Sequence, residues 1–216
     1  MKIDWLTSWE SGHIPFHLKT VNSMLEKYWP KLAISPSSNI FVPLCGKSLD
    51  LLWLANQGYK VIGVELSEIA CKSFFIENEL AYKTKTQDEF ICYYNDQIEI
   101  YCGDFFALTP EMLPSIHAVY DRAALVALPK KLRQPYADHL IKLTATQSKI
   151  LLIALDSKDE VVAPPYPLTH QQIKTLFEKK FLVEEWLHYP IVDIPDELQK
   201  KGYSEIYHTV YGLMSR

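Results

Sequence analysis

Several things are missing from this 216-residue chain, and each absence removes a class of protein. No apolar stretch approaches the roughly 18 residues of a membrane span, so no membrane partner is expected. The opening segment MKIDWLTSWESGH lacks the apolar core of a secretory signal. None of the four cysteines, Cys45, Cys71, Cys92 and Cys102, stands in a CxxC pair. They suit reduced thiols of a cytoplasmic protein better than a disulfide frame or a zinc site, and no metal is expected. There is no long basic run, and a net charge of -4 with a pI near 6.0 argues against a nucleic-acid partner. Internal repeats and low-complexity segments are absent too.

What is present suits one domain. A chain that is 48% hydrophobic can build a sizeable core at this length, since domains commonly run to roughly 100–250 residues. Residues 1–16 carry Trp5, Trp9 and Phe16, too aromatic for a tail, so they are expected to form an ordered arm. From His17 to Trp29 the spacing of Leu18, Val21, Leu25 and Tyr28 predicts a helix. An alternation follows. NIFVPL and KVIGVEL are short buried strands, and helices are predicted over Lys47–Asn56 and Ser67–Asn78, the second capped by Ser67. EFICYYNDQIEIYCGD reads as a hairpin turning at Asn95-Asp96, and IHAVYDR as a strand. A helix over Pro129–Leu143, the strand KILLIAL and a helix over Thr169–Lys179 come next. The strands FLVEEWLHY and EIYHTVYGL close the chain. The expectation is a doubly wound, Rossmann-like α/β fold. Its mostly parallel seven-stranded sheet would have one antiparallel edge strand, with helices on both faces and ligands at the C-terminal strand ends.

The turn FVPLCGKSLDL, Phe41–Leu51, raises a sharper question, because Gly46-Lys47-Ser48 resembles a phosphate-binding triplet. A phosphate loop needs a glycine five positions earlier, where this chain has Phe41 inside the strand. Pro43 and Leu44 cannot form the wrapping nest of amides. The dinucleotide fingerprint fails as well, since Ser48 and Leu51 occupy its other glycine places. Glu65 ends the next strand, about 19 residues after Gly46, where a carboxylate can accept two hydrogen bonds from a ribose diol. The competing reading is a helix cap for the segment that follows. A ribose site without a pyrophosphate nest suggests a nucleoside lacking phosphates, of which S-adenosylmethionine is one.

The stretch FVPLCGKSLDLLWLANQGYKVIGVELSE resembles the thiopurine S-methyltransferase family, particularly its bacterial members. So do the arm WxxxWxxGxxxFH (Trp5, Trp9, Gly12, Phe16, His17), the strand VYDRAAL and the loop APPYPL. The likeness runs from Trp5 to about Tyr211. It implies a single S-adenosylmethionine-dependent methyltransferase domain over 1–216, whose residues 1–30 form an arm and helix covering the active site. Contacts to S-adenosylmethionine are implied for Leu44, Glu65, Arg122 and an N-terminal tryptophan, either Trp9 or Trp5. Both tryptophans could instead only anchor the arm. Asp104 and Phe105 are implied at the adenine end, although Asp104 could equally be a helix cap.

Arg122 is the candidate for orienting the acceptor and the cofactor's carboxylate, with an ion pair to Asp121 or another carboxylate as the alternative. No residue is a certain catalyst: a thiopurine thiol is acidic enough to ionise near neutral pH, so a strong base is not required. Phe16, Pro165 and Tyr166 are expected to line the acceptor pocket, Phe16 with a core role as its alternative; His17 is read as a helix-start residue rather than a base. Some relatives carry a second arginine ahead of the last strand, where this chain has Glu197, Lys200 and Lys201. The expected partner is a small aromatic or heterocyclic thiol, and the chain is expected to act as a monomer. The alternatives are a selenium or tellurium acceptor, a non-catalytic S-adenosylmethionine-binding protein and a nucleic-acid methyltransferase.

Overall fold

Four consecutive buried residues, Ile40, Phe41, Val42 and Pro43, make strand β1 (Asn39–Pro43), which is covered on both faces as a parallel strand must be. In the computed structural model, which describes residues 5–144 and 146–216, the chain divides into two units, Met1–Val119 and Tyr120–Arg216. Residues 1–4 of the expected arm lie outside the described residues.

The first unit begins with α1 (Trp5–Ser11) and α2 (Ser23–Tyr28), the latter running into a single 3-10 turn, Trp29–Leu32. After β1 come α3 (Leu49–Asn56), β2 (Lys60–Glu65) and α4 (Glu68–Glu77). The strands β3 (Lys83–Gln87), β4 (Phe90–Tyr94) and β5 (Ile98–Cys102) follow. β2 lies between β1 and β5, parallel to both, with Val42 opposite Gly63 and Glu65 opposite Cys102. Ala118 and Val119, which open β6 (Ala118–Arg122), pair parallel with the other edge of β1. The three strands that end at Pro43, Glu65 and Cys102 therefore bring their C-terminal turns side by side. α4 buries Ala70, Cys71, Phe74 and Phe75, and each phenylalanine so buried contributes about 1.5–3 kcal/mol.

The second unit continues from β6 into α5 (Ala124–Ala127), α6 (Lys130–Leu143), β7 (Lys149–Asp156) and α7 (His170–Phe177). It closes with β8 (Phe181–Pro190), the short α8 (Asp196–Gln199) and β9 (Tyr207–Ser215). β9 pairs antiparallel with β7 along its whole length and with β8 on its other side, with a bulge between Glu185 and Leu187. Gly212 is required there, because a Cβ at that position would lie 2.0 Å from the Trp186 ring. No helix among the described residues is long and apolar enough to cross a membrane.

The alternation of strands and helices agrees with the sequence reading, and the strand pattern corrects it. There are nine strands among the described residues rather than seven, in a large mixed sheet. β9, the antiparallel strand of the closing hairpin, sits between β7 and β8 instead of at the edge. β4 is antiparallel as well, and β3, whose sequence KTKTQ has no apolar alternation, pairs among the described residues only with β4 and stays exposed. Its lysines protect an open strand edge, and Lys85 bonds Glu99 at 2.6 Å. The helix expected over His17–Trp29 shrinks to Ser23–Tyr28. Asn22 ends it: its side chain accepts from the Met24 N–H, and its own N–H donates to Asp50 Oδ1 at 2.8 Å. His17 accordingly stands in a turn before the helix, not at its start.

Candidate functional site

The first strand–helix turn answers the question its sequence raises. Leu44 (φ 48°) and Gly46 (φ 55°) both adopt the left-handed region, so the chain turns sharply off β1. The turn aims the Gly46 N–H at Glu65 Oε2, 2.8 Å away, while the Ser67 N–H donates to Oε1 at 2.8 Å. The Gly46 amide of the phosphate-like triplet thus holds a carboxylate. Lys47 extends to α4 and bonds both oxygens of Glu77 at 2.7 and 2.8 Å; Ser48 caps α3 by accepting the Asp50 N–H. Both side chains of the triplet Gly46-Lys47-Ser48 are therefore structural.

Glu65 is 7% exposed. Burial raises its pKa, opposed by the backbone N–H groups of Ser67, Gly46 and Leu66. The α4 cap is supplied by Ser67, whose hydroxyl accepts the Ala70 N–H, so the helix does not need Glu65 for that purpose. A carboxylate has about four acceptor positions, and the Gly46, Ser67 and Leu66 amides leave capacity for a further donor. Cys71 and Cys102, with Cys45, gather around it: Cys71 Sγ lies 4.0 Å from the Glu65 carbonyl oxygen, and Cys102 is its register partner. Sequence reasoning missed this thiol cluster, in which Cys45 follows the end of β1, Cys102 ends β5 and Cys71 lies in α4. Among the described residues no group of three or more His, Cys, Asp or Glu could hold a metal ion.

Above the turn lies the arm. Trp9 is buried, with its ring 3.1 Å from where a Cβ on Gly46 would stand, so a larger residue there would collide with the indole. Phe16 sits edge-on between two tryptophans, 5.5 Å from Trp9 and 5.4 Å from Trp5. Trp9, rather than Trp5, is thus the tryptophan against the turn. Asp104 is exposed and caps the 3-10 turn Phe105–Ala107 by accepting the Phe106 N–H at 3.0 Å. Phe105 is buried and stacks on Phe41 at 6.4 Å, while the preceding Gly103 N–H donates to the Glu65 carbonyl at 2.9 Å.

The second unit holds the other sequence candidates. Asp121 does not pair with Arg122: it is fully enclosed, accepting from Tyr136 Oη at 2.7 Å and from the Leu125 N–H at 3.2 Å. Burial pushes its pKa up to about 6. Arg122 is half-buried, and among the described residues its guanidinium has no hydrogen bond or ion pair. Pro165 and Tyr166 are half-buried in a loop whose Pro164–Pro165 bond is cis, and the Tyr166 N–H donates to the Val126 carbonyl at 2.6 Å. Lys200 is exposed, whereas Lys201 donates to the Pro164 carbonyl at 2.7 Å.

Comparison with known proteins adds an independent finding. The family model described as thiopurine S-methyltransferase (TPMT) matches residues 2–216. A thiopurine S-methyltransferase from Nitrosospira multiformis is 37% identical over 213 residues, covering 98% of this chain and 97% of that protein. One from Pseudomonas fluorescens is 45% identical over 171 residues, covering 79% of this chain and 77% of that one. Among solved structures, the Burkholderia thailandensis 1,6-didemethyltoxoflavin-N1-methyltransferase, with its substrate and S-adenosylhomocysteine bound, superposes with a TM-score of 0.67. It is 12% identical, and the match covers 98% of this chain and 85% of that one, a likeness of fold.

Proposed function

Because the chain belongs to the thiopurine S-methyltransferase family, we propose that it methylates the sulfur of thiopurines or related aromatic or heterocyclic thiols, with S-adenosylmethionine as donor. The observation that carries this reading is the Glu65 carboxylate, held at the end of β2 by the Gly46 and Ser67 backbone amides. Such a group fits a ribose diol and disfavours a nucleoside phosphate, whose charge would repel it. The family model spans both units, which supports one methyltransferase domain over 1–216. We take that domain to act as a monomer in the cytoplasm.

When bound, S-adenosylmethionine supplies an electrophilic methyl carbon on a sulfonium, and the reaction is an in-line displacement by a thiolate. The protein's share is to bind, align and exclude water. Glu65 fixes the ribose, and the Leu44 backbone and side chain form a wall of the first turn. Trp9 places an aromatic ring over Gly46, where it can attract a cation by about 0.5–2 kcal/mol. Asp104 retains acceptor capacity for the adenine amine while capping its turn, and Phe105 contributes an apolar surface. Phe16 and Trp5 complete the aromatic roof. Arg122, which has no ion pair among the described residues, is free to meet the anionic acceptor or the donor's carboxylate. Pro165 and Tyr166 form the stiff rim of the acceptor pocket. No general base is needed, because the acceptor thiol ionises near neutral pH.

The test is calorimetric titration with S-adenosylmethionine followed by turnover with a panel of thiopurines and thiophenols, detecting S-methyl products. Binding and methylation of at least one thiol is the expected result. Tight binding with no product from any thiol would leave a cofactor-binding protein without the proposed activity.

A further inference from the structure

The loop Ala163–Leu168, sequence APPYPL, carries three prolines and so lacks three of its backbone donors. Its carbonyls become the main handles by which the rest of the protein can hold it. All three proline carbonyls are taken by side chains distant in sequence. Lys201 Nζ donates to Pro164, Tyr203 Oη to Pro165, and Arg133 Nη2 to Pro167 at 3.1 Å. The two neighbouring amides are also used, Tyr166 on Val126 and Leu168 on Leu155.

The donors are expensive ones. Arg133 is only 8% exposed and, among the described residues, meets neutral carbonyls of Leu128 and Pro167 rather than a carboxylate. An uncompensated buried guanidinium carries a desolvation cost of several kcal/mol. A passive surface loop has no use for such an arrangement. A second stitch binds the approach to the loop. Asp159 accepts from the Ser204 N–H at 2.6 Å, the Ser204 hydroxyl at 2.9 Å and the Glu205 N–H at 3.0 Å.

We propose that Lys201, Tyr203 and Arg133 form a clamp that fixes the proline loop, and that they are positioning residues for the methyl acceptor. The proposal rests on the assignment of Pro165 and Tyr166 to the acceptor pocket. It gives the basic residue ahead of the last strand a defined role: Lys201 acts on the pocket rim and not on the acceptor itself. Acceptor selectivity then depends on a residue that touches no substrate.

The experiment uses the full chain with Lys201→Met and Lys201→Arg. Lys201→Met is expected to raise the KM for a fused-ring thiopurine about five- to tenfold, the loss of roughly one hydrogen bond to a charged donor. The kcat and the affinity for S-adenosylmethionine should stay within about twofold. Lys201→Arg, which keeps a cationic donor, should recover most of the loss. Amide hydrogen exchange supplies a readout independent of turnover: Tyr166 and Leu168 should exchange about tenfold faster in Lys201→Met and near the unmodified rate in Lys201→Arg. Unchanged exchange at both amides would overturn the clamp. Faster exchange with an unchanged acceptor KM would overturn the positioning role. If the unmodified protein methylates no thiol while the loop amides still respond, the clamp stands and the acceptor assignment falls.

Discussion

Glu65, at the end of β2, and Asp121, near the end of β6, are both buried carboxyls at C-terminal strand ends, and their partners set them apart. Both are nearly inaccessible, and burial raises the pKa of each. Asp121 is closed on all sides by the Tyr136 hydroxyl and the amides at the start of α5, a phenol and a helix terminus of its own unit. Glu65 is held from behind by the Gly46 and Ser67 amides and meets no side-chain donor among its described partners. Burial and a shifted pKa are common to a structural acid and a ligand-binding one. What distinguishes them is the kind of partner: a buried side-chain hydroxyl caps Asp121, whereas Glu65 is held by backbone amides alone.

The largest expected effect tests that distinction directly. Glu65→Gln keeps the shape and removes the charge. It should weaken S-adenosylmethionine binding by on the order of 100-fold, since hydrogen bonds to a charged group are worth about 1.5–3 kcal/mol each. The fold should survive, with a smaller loss from setting an amide NH2 against two backbone donors. Calorimetry and a thermal melt on the same preparation separate the two; unchanged affinity would return Glu65 to the structural class with Asp121.

Asp121 should respond in the opposite sense. Its folded-state pKa of about 6 lies above the ordinary carboxyl value near 3.9, so the folded protein holds this proton more tightly than the unfolded chain. The stability this contributes is fully present below about pH 4 and is lost as pH rises through 6. The difference is on the order of 3 kcal/mol. Asp121→Asn should therefore flatten the decline of urea stability between pH 4.5 and 7 and leave donor affinity unchanged. An equally steep decline in the variant would show that Asp121 is not the group responsible.

The two acids also show how far the sequence could be read. VEL and YDR look alike on paper, each an acid ending an apolar run, and nothing local tells a closed carboxyl from an open one. The acid at Glu65 was legible because its spacing from Gly46 follows the strand–helix–strand geometry. Ser67 as the α4 cap and Asn95-Asp96 as the hairpin turn were legible for the same local reason: short polar side chains satisfy nearby amides. β3 escaped because an exposed edge strand needs no apolar alternation. The helix expected from His17 was cut short by Asp50, 28 residues away from Asn22 in sequence. The grip of Lys201 on Pro164 spans 37 residues, and periodicity carries no information at that range.

A smaller effect probes the roof over Glu65. Gly46→Ala places a methyl group 3.1 Å from the Trp9 ring at a left-handed φ, so both the arm and the turn must yield. A loss of about 1–2 kcal/mol in stability is expected, from the φ penalty alone. Trp9 fluorescence should shift as the indole is displaced, and donor affinity should fall less than in Glu65→Gln. A variant with unaltered fluorescence would mean that Trp9 does not depend on the glycine.

The smallest effect belongs to Lys47, and it closes the question of the phosphate-like triplet. Its ammonium is taken by Glu77, whose side chain is half exposed, so the pair is worth no more than about 1 kcal/mol. Lys47→Met should lower stability by that amount or less, and less still at high salt, where the pair is screened. Affinity for S-adenosylmethionine should stay within about twofold, because the lysine serves α4 and the ligand is met by Glu65. A tenfold loss of affinity would mean that Lys47 leaves Glu77 when the site fills. The contrast between a carboxylate kept open for a nucleoside and a lysine tied down beside it would then have to be abandoned.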